Sequence, residues 1–448
     1  MLNKKFFLIF ISIFILFVGC SFDSKTGIWS GDEKEKKRIG QLKEDSKKIF
    51  KKIYTSQDIS IEEVVTTKNL NLSQPIKNSN WTTSNFNVQN YIGHIFLSGI
   101  NNNFLKKKIG KNKFSLSRSM LSPIANENNI ILTDDTGTVF NTNKKGKIKW
   151  KKNIYKKIYK KIYKNLSISI HNGAIFISDN VGFIYSLELE TGEILWVKNH
   201  GIPLKSKIKI FNDKIFLVNS DNRIICLESK TGARVWDVRT VSSFIKTQNF
   251  LALAVSENGE VFTINSSGEL IKLSSINGQI YWSINITPSL FAHDKDFFES
   301  SDIVVAGDDI IFSTTKSIFS FDIKNRYENW KFNINSTNTP IIDGNNVFLV
   351  SRNGFFINID KKSGKIIWST NILKILKKRK KNTHITGFIL GSDKIYSTTH
   401  NGFIIISSAT NGKTESFKKI GDSIIANPII ADGSLYILTN NSKLFGFN

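Results

Sequence analysis

Cysteine is nearly missing, with only Cys20 and Cys226 in 448 residues. That excludes a disulfide-stapled scaffold and a zinc site built on clustered thiolates, since both need paired cysteines at set spacings. Proline is also scarce, at six residues, and a surplus of Ile, Asn and Lys points to AT-rich codon bias. Acidic residues are few: 37 against 62 basic ones, a formal charge of +25. Such a balance favours acidic partners, anionic lipid surfaces or nucleic acid, with lysine-rich codon usage as the plain alternative. No helix-turn-helix, zinc-ligand run or RNA-recognition signature accompanies the charge, so no nucleic-acid partner is expected. The six histidines (His94, His171, His200, His293, His384 and His400) include no two at ligand spacing on one element, and none has a cysteine nearby. His293 and Asp294 are adjacent, but adjacency does not make a catalytic dyad. A phosphate-binding P-loop and a Gly-x-Ser-x-Gly elbow are absent as well. No catalytic or metal-ligating residue is therefore assigned.

What is there begins at the N-terminus. Lys4 and Lys5 precede an unbroken apolar run, Phe6 to Val18, and then Gly19-Cys20. A basic flank and an apolar stretch of about 13 residues make a secretory signal, too short to span a bilayer comfortably. The ending Leu16-Phe17-Val18-Gly19-Cys20 resembles the lipobox of bacterial lipoproteins, which implies cleavage before Cys20 and acylation of its sulfur. An ordinary signal peptide with a chance cysteine is the alternative. Removing residues 1–19, with two lysines and no acid, takes the charge from +25 to +23. Ser21 after the cysteine implies, by the same resemblance, sorting to the outer membrane. Residues 20–70 lack a core pattern and are dense in Lys and Glu from Gly31 to Lys52, so they read as a tether. Cys226 lies in the strand-like run Arg223-Ile224-Ile225-Cys226-Leu227 and reads as a buried, inert thiol. The expected organisation is a signal peptide at 1–19, a lipidated tether at 20–70 and one folded body at 71–448.

From about residue 120 a single unit recurs: apolar strand, polar turn, apolar strand, Gly turn, Trp-ended strand. Residues 172–178, 182–187 and 191–196 show all its parts. Period-2 alternation and β-branched residues mark the strands, and Asn-Gly or Thr-Gly marks the tight hairpins. A glycine stands four residues before a tryptophan at Gly146/Trp150, Gly192/Trp196, Gly232/Trp236, Gly278/Trp282 and Gly364/Trp368. Arg326 replaces the glycine before Trp330, and Gly412 precedes Ser416-Phe417. From 150 to 416 there are six intervals in 266 residues, about 44 each, the length of a four-stranded propeller blade. Seven such endings are followed by three more strands between Asn427 and Phe447. The sequence thus predicts an all-β, eight-bladed propeller of four-stranded antiparallel blades closed by an N-terminal strand. The segment around Asn80-Trp81 is expected to supply that strand. Trp81 then joins Trp150, Trp196, Trp236, Trp282, Trp330 and Trp368 as indoles that lock blade to blade, each burying about 200 Å². Two basic stretches break the pattern. Lys151–Lys164 reads either as a short amphipathic helix for a membrane surface or partner, or as an extended solvated loop, and Lys374–Lys381 has the same two readings.

The Thr/Ser/Asn-Gly-x-x-x-Trp turn resembles the repeat of the pyrroloquinoline-quinone (PQQ) propeller superfamily, not the WD40 repeat. Within it, residues 75–448 and the lipobox are most similar to the BamB family of the outer-membrane β-barrel assembly (BAM) machinery. Asn80-Trp81 with Gly93-His94-Ile95 resembles that family's entry segment, and Ser301-Asp302-Ile303 its Ser-Asp element. The resemblance implies a non-catalytic lipoprotein scaffold without cofactor or metal, at the periplasmic face of the outer membrane. The partners it implies are a POTRA (polypeptide-transport-associated) domain of the barrel-assembly subunit, other assembly lipoproteins, and the membrane through a lipid anchor. It implies Asp302 as a partner contact through a charge-assisted hydrogen bond, with a turn-capping role as the alternative. Val304 stands where relatives carry an acid or arginine, which weakens that carry-over. The loop from Arg239 to Lys246 matches the family's other contact loop, making Arg239, Phe244 and Lys246 candidates, although Phe244 packing on its own blade is equally open. Two rivals remain: another envelope scaffold, or an enzyme like the superfamily's PQQ-dependent dehydrogenases. The latter need a quinone, Ca²⁺ and an aspartate base, whereas this chain lacks adjacent cysteines and keeps acids such as Glu188, Glu228 and Asp360 at turn positions.

Overall fold

The computed structural model describes residues 62–66, 70–111, 122–241, 249–286, 298–380 and 382–448. The lipobox with Cys20, most of the tether, Phe244 and Lys246 lie outside the described residues.

Strand follows strand in hairpins, because each apolar run ends at Asn, Asp or Gly in a left-handed conformation that a tight turn needs. The strands form eight four-stranded antiparallel sheets. Seven are consecutive: blade 1 (124–153), blade 2 (166–199), blade 3 (209–239), blade 4 (252–285), blade 5 (304–333), blade 6 (341–371) and blade 7 (385–419). The eighth joins the chain ends. Ile429–Ala431, Ser434–Leu438 and Lys443–Phe447 pair in order, and Asn103–Lys108 adds antiparallel to Lys443–Phe447 as the outer strand. The expected closure by an N-terminal strand is present, but Asn103–Lys108 provides it and not the segment around Trp81.

The apolar core lies between the sheets. One cluster joins Ile215 and Leu217 of blade 3 to Phe176 and Ile184 of blade 2, another joins Cys226 to Val261 and Leu273 of blade 4, and others repeat the scheme around the ring. Cys226 is fully buried, and burial pushes its thiol up to about 12, as suits an inert core residue.

The glycine-to-tryptophan spacing has a structural cause at these seams. In seven blades the third and outer strands slip register at one equivalent point, a bulge, and the residue opposite it is Trp150, Trp196, Trp236, Trp282, Trp330, Trp368 or Ser416. The glycine four residues earlier serves the preceding blade. A Cβ on Gly192 would sit 2.7 Å from the Trp150 ring, on Gly232 2.8 Å from Trp196, on Gly364 2.5 Å from Trp330, and on Gly412 2.5 Å from Trp368. Each indole therefore lies flat on the next blade's turn, whose φ near +70° also favours glycine. Four indole N–H groups donate across the seam, to the carbonyls of Leu189, Ser229, Ser275 and Lys361. Leu105 of the closing strand fills the same place against Gly146. Trp81 does not belong to this set. It is buried beside Phe86 and bridges to Ala125 on the inner strand of blade 1.

Both basic stretches differ from either reading of them. Lys151 and Lys152 extend the outer strand of blade 1, and a 3-10 turn, Lys157–Lys161, follows. The second stretch lies in 3-10 turns, Ile372–Lys380, kinked at Lys377.

Candidate functional site

An antiparallel four-stranded blade begins its inner strand and ends its outer strand on the same side of the ring. All loops between blades therefore share one face, here the loop face, with the second-to-third hairpins, whereas the first-to-second and third-to-fourth hairpins turn back on the other. Eight inner strands surround a central channel, and their facing groups would stand unpaired if nothing entered it.

The chain enters it itself. Residues 73–98 bond to every blade. The Trp81 and Ala125 backbones exchange hydrogen bonds of 2.7 and 2.9 Å in blade 1, and Ile170 N–H donates to the Thr82 carbonyl in blade 2. Thr83 Oγ1 donates to the Ile208 carbonyl beside blade 3. Val255 of blade 4 donates to Val88, and Val305 of blade 5 to Gln89. Ser73 N–H donates to the Asp343 carboxylate of blade 6 at 2.9 Å. Ser392, in the first hairpin of blade 7, donates to Ile95, and Asp432 of blade 8 to Asn78. His94, buried, donates from Nδ1 to the Ser73 carbonyl and accepts from the Asp393 N–H at Nε2, which defines a neutral ring tautomer.

Asp302 sits at the centre of this plug, 7% exposed. Lys207 Nζ and Asn85 Nδ2 both donate to its Oδ2 at 2.5 Å. Lys209, fully buried, donates to Asn90 Oδ1 at 2.5 Å and to the Asn87 carbonyl at 2.9 Å. Burial pulls its ammonium down to about 7, with the neighbouring Lys207 adding to the fall and Asp302 opposing it. Asn90, in a left-handed conformation, spans blades 4 and 5 by donating to the Leu253 and Ile303 carbonyls. The carboxylate has the charged and amide donors expected of it, but they come from its own chain. Asp302 is thus a buried pin between the plug and the segments that lead into blades 3 and 5.

This network went unread in the sequence. The available signal was Lys207 and Lys209, two residues apart where the inner strand of blade 3 begins, together with the asparagines at 78, 80, 85, 87 and 90. Lysines in a position built for apolar side chains need a buried acceptor. Arg239, by contrast, is exposed at the end of the outer strand of blade 3, opposite Arg223.

The space beside Trp81, Asn85 and Ile92 is about 10 Å³, the scale of a single water, and a more open cleft of about 320 Å³ lies beside Gln89, Tyr91 and Lys361. Among the described residues no group of three or more His, Cys, Asp or Glu side chains is placed to hold a metal. A planar quinone with Ca²⁺ does not fit these residues: Asp302 is already neutralised by Lys207 and the plug takes the volume.

A family described as outer membrane protein assembly factor BamB matches residues 135–370. The outer membrane protein assembly factor BamB of Moranella endobia is 19% identical over 334 residues, 62% of this chain and 84% of that protein. A quinoprotein ethanol dehydrogenase of Pseudomonas putida is 31% identical over 77 residues, and the match spans only 12% of the enzyme's length. Among solved structures, BamB from Moraxella catarrhalis aligns with a TM-score of 0.63 at 15% identity, over 77% of this chain and 99% of that one. A europium-containing methanol dehydrogenase aligns at 0.62 with 12% identity, over 81% and 89%. At such identities the structural likenesses speak for the fold, which both groups share.

Proposed function

This chain belongs to the outer membrane protein assembly factor BamB family, and from that premise we propose that it is a non-catalytic scaffold of the β-barrel assembly machinery. In this reading it is lipidated at Cys20, held at the periplasmic face of the outer membrane, and binds a POTRA domain of the barrel-assembly subunit. The observation that carries the non-catalytic part is the plug. Residues 81–92 lie in the channel in which the superfamily's dehydrogenases need a quinone and a metal, hydrogen-bonded to blades 1–5.

With the plug in the channel, binding falls to the loop face. The loops between blades 3 and 4 and between blades 4 and 5 are long and adjacent, and exposed Arg239 stands at the foot of the first. Arg239, Phe244 and Lys246 are the proposed contacts: a cation and an aromatic anchor suit a binding hot spot. Asp302 holds the base of the second loop to the segment leading into blade 3 through Lys207.

The test is a pull-down of the full chain with isolated POTRA domains of the barrel-assembly subunit in mild detergent. Recovery of one POTRA domain, reduced about tenfold by Arg239→Glu with Phe244→Ala, is the expected result. Recovery of none would remove the assembly role. Stoichiometric binding of PQQ with Ca²⁺ by the same protein would remove the non-catalytic one.

A further inference from the structure

We propose that the loop joining blades 1 and 2, residues 154–165, is a membrane-contact tip that seats isoleucine side chains in the headgroup region of an anionic phospholipid bilayer. The base of this loop is built rigidly. Ile154 and Tyr155 are buried, the Tyr155 hydroxyl donates to the Asp179 carboxylate, and its ring packs on Tyr185 at 5.7 Å. Gly137 has no Cβ where that ring lies, and any Cβ there would collide with it. Tyr159 packs edge-on against Phe183 at 5.3 Å. Lys164 turns inward: its ammonium donates to the Tyr159 and Ile162 carbonyls and lies 4.7 Å from the centre of the Tyr155 ring.

What this base holds outward is apolar and cationic. Ile158 is 75% exposed on the 3-10 turn, Ile162 is 46% exposed just after it, and Lys156 and Lys157 are exposed beside them. Residues 154–165 contain five lysines and no acid. Tyr155 and Tyr159 supply the anchor, so Ile158, Ile162, Lys156 and Lys157 are left for the tip. Apolar side chains ringed by lysine are the composition that binds at a bilayer surface, where the chains leave water and the cations meet phosphate. A second loop on the same face, 372–384, has six Lys and Arg residues and no acid; Lys377 is exposed, and Lys374 pairs with Glu63. Its apolar residues Ile372, Leu373 and Leu376 are buried, so it adds charge without a tip. Both loops lie away from the junctions of blades 3, 4 and 5 given to the protein partner, and the inference does not depend on that partner.

Ile276 supplies an internal control. It is 74% exposed, on the opposite face, in the uncharged turn Ser275-Ile276-Asn277-Gly278-Gln279. The experiment places an environment-sensitive fluorophore on Ile158→Cys or Ile276→Cys in the full chain carrying Cys20→Ser. Cys226 is buried with a raised pKa and stays unlabelled. The apolar run at residues 6–18 would hold the chain on any vesicle, so floated, vesicle-bound protein is compared by probe position. A blue shift and severalfold brightening at 158 but not at 276 is expected on phosphatidylglycerol-containing vesicles. It should fade on phosphatidylcholine alone, in high salt, and with Lys156→Glu and Lys157→Glu. An unchanged probe at 158, equal changes at both positions, or a change only when POTRA domains are added would overturn the proposal, the last in favour of a protein-docking loop.

Discussion

The seams between blades and the channel at the centre are both buried, yet opposite chemistry holds them. At a seam an indole lies flat on a glycine turn, donating at most one hydrogen bond, and most of the stabilisation is apolar area taken from water. In the channel one carboxylate, two lysines and a set of amides hydrogen-bond to one another. The seam is a repeated solution and tolerates local failure. Blade 5 offers Arg326 where others have glycine, and blades 7 and 8 offer Ser416 and Leu105 where others have tryptophan. The channel network occurs once, and losing one member strands the rest.

The largest expected effect follows from that asymmetry. Asp302→Ala leaves Lys207 and Lys209 buried without their counter-charge and should cost about 3–5 kcal/mol, the usual penalty for breaking a buried pair. Denaturant titration reads it directly, and a loss under about 1 kcal/mol would mean that the plug is not held by charge. Asp302→Arg, which adds a third cation, should be worse and should impair folding before it affects any partner.

A seam substitution ranks next. Gly364→Ala combines a left-handed conformation that alanine resists, about 1–2 kcal/mol, with a Cβ inside the contact distance of Trp330, so a total of about 2–4 kcal/mol is expected. Thermal unfolding would check it. An unchanged midpoint would show that the seams can slide.

Lys209 gives a pH signature that no seam has. Folded, it loses its proton near 7, while the unfolded chain keeps it to about 10.4. Between those values the unfolded state binds more protons, so this lysine makes stability rise with pH across that window. Lys209→Met should flatten the rise relative to the parent chain in denaturation curves taken between neutral and alkaline pH. Identical slopes would place the lysine in contact with water.

The smallest effect sharpens the seam side. Arg326 holds φ at +66° where the other blades have glycine. Arg326→Gly should relieve about 1 kcal/mol of left-handed strain, raising the unfolding midpoint slightly. A lower midpoint would mean that the arginine side chain holds the turn by itself.

Legibility in the sequence followed the same division. The seams could be read, because a bulge and a glycine turn recur about every 44 residues and leave a period in the residues themselves. Even so, Gly192 and Trp196 looked like one local motif, whereas each serves a different neighbour: the glycine receives Trp150 and the tryptophan lies on Gly232. Trp81 was grouped with the seam indoles because it is a tryptophan near the start of the ring, and the structure moves it to the axis. The closing strand Asn103–Lys108, with Lys106, Lys107 and Lys108 together, has no tryptophan and little alternation to announce it. Asp302 reads in the sequence as a contact for a partner protein or a turn cap; the cation the structure sets beside it, Lys207, stands 95 positions away in its own chain.

What the sequence determined by itself was the architecture: period-2 apolar patterning and recurring turns specify hairpins of fixed length, and such hairpins bury their faces only against copies of themselves. What only the tertiary structure decided was the use of the axis. The way residues 73–98 occupy the channel depends on groups from eight separate blades arriving at one place. No local pattern encodes that meeting, because its energy exists only once the ring has closed and water has been excluded from the charges inside it.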